Sequence, residues 1–329
     1  MSQSSGSTSW TPVRPAADFD RPLLLTPGQD LAGYAVARAG RLLLLLITLT
    51  SVAAVGLIFA FIILKSYQFF ATRGVWELLA TQAWEPTHED PRFGALRIIV
   101  GSVYVTVGAM VIAVPVGLLA AVCLSDIVSF RVRQIVKPVI EILAAIPSVA
   151  FGFFAYLVVA PWMQTTLGFT WGTNALNASV ILAFMAMPTI VSISEDALTA
   201  AGRELREASY AVGATRAETL IKVVIPAAHS GIIAAIILGV MRAVGETMLV
   251  WMAAGNALNI PSPWWDLSQQ VRALTATIAA EMGEAPQGGI HRQALFALGL
   301  ILLVMTFALN LVSDYFLART KRVGRAASR

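Results

Sequence analysis

Charged side chains are scarce in this sequence. Lys, Arg, Asp and Glu make up 13% of the 329 residues, about half the share of an ordinary soluble domain. A globule in water must cover its outside with polar and charged groups. A chain that is 57% hydrophobic, with a mean hydropathy of +0.74, has too few of them. A soluble protein is therefore excluded, and the bilayer is the expected solvent. Cysteine is nearly absent too: Cys123 stands alone in an apolar run, which excludes a disulfide within the chain and argues against redox chemistry. His88, His229 and His291 lie far apart without ligand spacing, so no metal site is expected. The sequence has no G-x-x-x-x-G-K-[ST] and hence no phosphate-cradling P-loop. The chain is expected to be no enzyme, to carry no catalytic residue and no cofactor, and to leave any ATP hydrolysis to a partner. Its 23 Lys and Arg against 19 acids form no basic tract dense enough for nucleic acid.

Long apolar runs are what the sequence has instead. A helix needs roughly 20 apolar residues to cross about 30 Å of hydrocarbon, and six segments qualify, at about 42–64, 98–124, 139–160, 176–193, 230–254 and 294–316. The expected fold class is all-α, a polytopic integral membrane protein with six transmembrane helices. The chain divides into a polar N-terminal tail (1–41), a first helix (42–64), an external loop (65–94), a five-helix core (95–316) with a charged loop at 203–226, and a basic tail (317–329). The N-terminal tail has no apolar stretch before a small-residue cleavage site, so no cleaved signal peptide is expected.

Lys and Arg sort the connections into two sets. The two tails and the second and fourth loops, which include Arg14, Arg21, Arg131, Arg133, Lys137, Arg203, Arg206, Arg216 and Lys222, hold sixteen cations; the other loops hold six. Cation-rich segments stay inside, so both termini are expected to be cytoplasmic and the chain to lie in the inner or plasma membrane. Trp76, Trp84, Trp162, Trp171, Trp264 and Trp265 fall at or beyond helix ends on the outer side, where amphipathic rings prefer to lie.

Three segments bear on function. Pro115 with Gly117, Pro147 with Gly152, and Pro188 interrupt the helices, either for close packing or to bend them around a pathway. The loop 203–226 reads as two short helices, with Gly213 ending the first, Thr215 and Glu218 forming a capping box for the second, and Pro226 ending it. Such a hairpin either docks a soluble partner or only connects two spans. Arg242 stands deep in the fifth apolar segment, where an arginine costs roughly 2.5–3.5 kcal/mol on insertion scales. Glu246 follows at i+4, close enough for an ion pair on one helix face. That pair is open to two readings, a structural bridge or a substrate and gating element. Arginine suits a tetrahedral oxyanion, because its planar fork gives bidentate hydrogen bonds. Elsewhere, Glu141 is expected to pair with Lys137 at the interface, and Glu195 and Asp196 to mark the exit of the fourth helix.

The motifs carry a resemblance. Glu207, Ala208, Ser209, Gly213, Val223, Ile225 and Pro226 stand at the spacing of the EAA loop of ABC importer permeases, with Ser209, Val223 and Ile225 as mild departures. Arg242 to Thr247, R-A-V-G-E-T, resembles the R-A-x-G-E-T motif of phosphate-specific ABC importer permeases. The stretches from Glu141 to Val149 and from Leu274 to Ala285 are similar to their third-helix segment and last outer loop. Met248 stands where the PstA-like sister subunit has Ala-Pro, which places the resemblance in the PstC-like branch and over about residues 95–316. The resemblance implies a type I, MetI-like bundle. It implies that Glu207, Ala208, Gly213 and Pro226 couple to an ATPase and that Arg242, Glu246 and Thr247 line a substrate pathway. The implied partners are a PstA-like permease subunit, two PstB-like ATP-binding subunits and a PstS-like extracytoplasmic phosphate-binding protein, with no nucleic acid. The resulting expectation is a permease subunit of an ATP-driven phosphate importer. The rivals are an ion-coupled secondary transporter or channel, and an ABC permease for another oxyanion such as molybdate or sulfate.

Overall fold

The computed structural model describes residues 27–327, with side chains over 33–315. Arg14, Arg21 and the rest of the tail before Pro27 lie outside the described residues, as do Ser328 and Arg329. Two compact units are distinguished, Met1–Ala60 and Phe61–Arg329. The described part of the first unit is the beginning of helix α1 (Pro27–Ala80), in which Leu42, Leu44, Leu46 and Leu57 are all exposed, as suits a helix in lipid. The helix begins well before the apolar stretch at 42–64. Residues 29–41 contain no proline and several good helix formers, so the backbone stays helical outside the apolar stretch. Gly74, at φ 76°, kinks its last part.

In the second unit, β1 (Trp84–Glu85) pairs antiparallel with β2 (Arg92–Phe93) ahead of α2 (Leu96–Val122), which continues through a π-helical turn at Cys123–Ile127. The third expected span, 139–160, is corrected by the structure. Ile146 and Pro147 are extended, because a residue before proline avoids the α region. The break leaves α3 (Phe130–Ala145) as a separate helix with no buried residue. Membrane-length helix then resumes as α4 (Ser148–Phe154), a π turn at Ala155–Val159 and α5 (Ala160–Leu167). On α3, Ile135, Val139 and Ile142 form an exposed apolar row at i, i+4 and i+7, while Arg133 and Lys137 face the opposite way.

Helix α6 (Ala175–Ala200) is the buried axis of the unit. The Asn174 side chain accepts from the Asn177 backbone N–H at 2.8 Å, and Ile181, Leu182, Met185, Ile190 and Leu198 are all buried. Small residues let its neighbours close on it: Val105, Ala109 and Ala113 of α2 share its core, and a Cβ at Gly239 on the facing helix would lie 2.7 Å from Ile190 Cγ1.

Two short helices follow, α7 (Arg203–Ala211) and α8 (Arg216–Thr219). Pro226 does not end the second, contrary to expectation. A π turn at Leu220–Val224 leads into α9 (Ile225–Val244), with Pro226 in its first turn. There the missing N–H costs nothing, and the wider turn relieves the clash of the ring with the preceding carbonyl. The fifth span is also not continuous: α9 stops, and α10 (Met248–Ala253) starts after Gly245–Thr247. Helices α11 (Leu274–Glu281) and α12 (Ile290–Ala327) complete the chain. Among the described residues, six helical segments are long and apolar enough to span a membrane.

Candidate functional site

Arg242 sits in the last turn of α9, and the expected i+4 bridge to Glu246 is not formed. The helix breaks between the two residues, so Glu246 leaves the face that carries Arg242. The guanidinium instead donates to Thr189 Oγ1 of α6 and to the carbonyl oxygen of Ala144, each at 3.1 Å. Ala144 is in the last turn of α3, whose final carbonyls lack helical partners. Arg242 therefore sits at the negative ends of two helices. This explains how a cation is held here with no carboxylate against it.

Glu246 lies across the break. Its Oε1 accepts the Thr247 backbone N–H at 3.1 Å, and its carbonyl oxygen accepts the Thr275 hydroxyl at 2.6 Å. Thr275 belongs to α11, in the stretch read as an outer loop. That stretch returns into the core, where Leu274 and Thr275 are buried and the Leu274 N–H donates to Ser102 Oγ at 2.7 Å. A cavity of about 10 Å³ adjoins Glu246, lined by Ser102, Thr106, Ala243 and Thr275 among others. The site thus presents an arginine just before an unwound turn and a carboxylate within it, with hydroxyls from α2, α6 and α11 close by. Thr247 begins α10.

The loop 203–226 folds as the sequence indicates up to Pro226. Gly213 has φ +85°, and the N–H groups of Gly213 and Ala214 donate to Tyr210 O at 2.9 Å and Ser209 O at 3.2 Å, a Schellman end that needs a left-handed residue. The capping box of Thr215 and Glu218 is present. Glu207 and Ala208 are exposed on α7. Ser209, the departure from the motif, is buried, and its hydroxyl meets Thr219 Oγ1 at 2.8 Å, locking α7 to α8.

Residues 113–322 match the family described as the inner membrane component of binding-protein-dependent transport systems. The chain belongs to that family. It is 37% identical over 284 residues, 86% of this chain and 91% of the relative, to a probable ABC transporter permease protein, YqgH, of Bacillus subtilis. It is 35% identical over 273 residues, 77% of this chain and 81% of the relative, to the phosphate transport system permease protein PstC of Mesorhizobium japonicum. A solved chain of the inward-facing MetNI methionine ABC transporter shares the fold, at TM-score 0.50 and 20% identity over 69% of this chain and 94% of that one. The all-α, MetI-like bundle is thereby established. An ion-coupled carrier acting alone loses its support, since this family supplies the membrane component of a larger transport system.

Within this membrane component the structure also brings together residues that the sequence did not connect. Glu195 is buried and is held by Arg133, by Lys137 Nζ at 2.7 Å and by the Thr199 hydroxyl at 3.0 Å. It clamps α6 to α3, and α6 runs on past it to Ala200. Lys137 also pairs with Asp196 at 2.6 Å, so its expected pairing with Glu141 is replaced. Arg206 of α7 donates to Asp126 Oδ1 and to the carbonyls of Gly202 and Leu198, each at 2.9 Å. Near the other end of the unit, Trp84 is buried and not part of an aromatic belt. Its indole N–H donates to Glu281 at 2.9 Å, where Arg272 at 2.9 Å and His291 at 2.8 Å also converge. Partners far apart in sequence left no periodic signal for these clusters.

Proposed function

We propose that the chain is a membrane-spanning permease subunit of an ATP-driven inorganic phosphate importer, forming the pathway with a homologous, PstA-like permease subunit. The observation that carries this reading is Arg242 at the unwound turn between α9 and α10, held by one helix carbonyl and a hydroxyl without an ion pair to a carboxylate. An arginine so placed keeps a net positive field for an oxyanion that sheds water in the bundle. Relatives named as phosphate transport permeases support phosphate as the oxyanion.

In this reading two PstB-like subunits bind ATP and dock on α7 and α8, around the exposed Glu207 and Ala208, and a PstS-like protein delivers phosphate from the opposite side. The chain itself supplies no cofactor and no ATPase site. Both termini and the loop 203–226 lie in the cytoplasm. Closure of the ATPase pair moves α7 and α8, and the bundle switches between outward and inward access. Arg242 and Glu246 then act by position: the arginine attracts and orients the phosphate oxygens, and the carboxylate across the turn opposes a second anion and favours release. The test is uptake of labelled phosphate by proteoliposomes holding the assembled complex with ATP inside. ATP-dependent uptake of phosphate, competed weakly by sulfate or molybdate, is expected. Uptake of either of those in preference to phosphate overturns the assignment of substrate.

A further inference from the structure

A cavity of about 780 Å³ opens where α2 and α6 end and α8 begins, lined by Asp126, Phe130, Arg133, Arg203, Arg206 and Arg216 among others. Its chemistry is lopsided. Four arginines line it with a single carboxylate, Asp126. Arg206 is bound to Asp126 and Arg133 to Glu195. Arg203 and Arg216 are exposed and, among the described residues, make no hydrogen bond or ion pair. The rest of the lining is largely apolar: Ile127 and Phe130 each keep 71% of their surface exposed, with Leu124, Val128 and Leu220 also in the lining.

The level of this cavity follows from the chain. The span containing α2 stops at Ile127, α6 stops at Ala200, and the span containing α9 begins at Arg216. The ends of these three apolar helices meet at the cavity, and the charged residues gathered there suit the polar boundary of a bilayer, the depth of lipid headgroups. Basic pockets between helices at that depth suit anionic headgroups, and an arginine fork matches phosphate oxygens.

We propose that this cavity binds the phosphodiester headgroup of an anionic phospholipid. Arg203 and Arg216 hold the phosphate, and the first acyl carbons lie against Ile127 and Phe130. The site is separate from Arg242 and does not depend on which solute crosses the bundle. Because Arg203 and Arg216 begin α7 and α8, bound lipid pins both short helices to the membrane surface.

The test uses the assembled complex, delipidated in an uncharged detergent and titrated with short-chain phosphatidylglycerol, phosphatidylcholine or inorganic phosphate, with adducts counted by native mass spectrometry. A phosphatidylglycerol adduct is expected that resists phosphatidylcholine and millimolar phosphate and weakens roughly tenfold or more in R203Q/R216Q. Because both arginines begin the helices proposed to dock the ATP-binding subunits, retention of those subunits is measured first, and if the double variant loses them the single variants R203Q and R216Q are read instead, each expected to weaken the adduct. R131Q, whose side chain does not line the cavity, should leave the adduct unchanged. Equal binding of phosphatidylcholine, full displacement by inorganic phosphate, or an adduct that survives R203Q/R216Q each overturns the proposal; full displacement by phosphate makes the site one for a free anion.

Discussion

Replacing Arg242 by Met removes two hydrogen bonds from a cation, to Thr189 and to the Ala144 carbonyl. Charged hydrogen bonds contribute about 1.5–3 kcal/mol each, so the loss is about 3–6 kcal/mol. Against it stands the cost of holding an arginine inside an apolar segment, roughly 2.5–3.5 kcal/mol, which the methionine relieves. The two nearly offset, and the variant should lose no more than about 3 kcal/mol while losing almost all phosphate uptake. Glu246→Gln keeps an oxygen for the Thr247 N–H and should change stability by less than about 1 kcal/mol. Because Arg242 and Glu246 do not touch, the two changes should add: their coupling in a double-mutant cycle should stay below about 0.5 kcal/mol. The assays are thermal unfolding of the complex in detergent and labelled-phosphate uptake per assembled complex. A coupling above about 1 kcal/mol would show that the two side chains pair after all, and near-normal uptake by R242M would return the arginine to packing.

Gly213→Val forces a β-branched residue to φ +85° and should cost about 1–2 kcal/mol, seen as weaker retention of the ATP-binding subunits on affinity purification with the chain still inserted; unchanged retention means that the Schellman end is dispensable. Glu195→Gln leaves Arg133 facing an uncharged group while Lys137 keeps Asp196, and since both cations keep about a quarter of their surface exposed, at 25% and 29%, the loss should be about 1–3 kcal/mol, below that of a fully buried pair; an unchanged melting temperature would refute the clamp. Hydrogen bonds from the Ser268 side chain, then from Gln269 and the Ser268 N–H, hold the Asp266 carboxyl below its ordinary range. Its contribution is therefore complete above the unfolded value and is lost as pH falls through the lower folded value, so Trp264 and Trp265 fluorescence should change with acid in the parent and lose that step in Asp266→Asn. Reporter fusions after Arg133 and Lys222 should read cytoplasmic and fusions near Trp84 and Trp171 external; the reverse pattern would overturn the orientation drawn from the cations.

What was legible in the sequence was whatever local physics decides. Apolar length announced the spans, and Gly213, Thr215 and Glu218 announced the ends of α7 and α8 because caps involve residues three or four apart. The errors at 139–160 and 230–254 came from treating apolar length as unbroken helix. Pro147 stops one helix outright, whereas Pro226 is absorbed by the π turn before it, and composition alone does not separate those outcomes. The site was half legible. Arg242 stood out through its cost in an apolar segment, but its partners did not. One is a backbone carbonyl, which has no sequence signature, and the other is Thr189, on a helix 53 positions earlier. The partners of Glu195, Trp84 and Glu281 leave no sequence signal for the same reason.

The recovered contacts connect the loop 203–226, proposed to dock the ATPase, to the arginine. Arg206 binds α7 to the end of α2 through Asp126 and to the end of α6 through the Leu198 carbonyl, and also bonds the Gly202 carbonyl just before α7. Farther back along α6, Glu195 grips Arg133 and Lys137 of α3, and the last turn of α3 supplies the carbonyl that Arg242 holds. Each link is a charged group against a carboxylate or a helix end, stiffer than an apolar contact because the partner's position is fixed by direction as well as distance. On the proposed function, a displacement of α7 is passed to α6 and α3 together and reaches the joint of Arg242 with Ala144 and Thr189. That joint differs from the others in having two neutral acceptors and no counter-charge. On the same proposed function, a phosphate at the turn would offer the arginine a charged partner in place of them, so that substrate arrival and loop movement would act on the same two hydrogen bonds. In this reading the missing ion pair between Arg242 and Glu246 is what makes the site switchable: a guanidinium already neutralised at i+4 would have little to gain from phosphate and little reason to release α3.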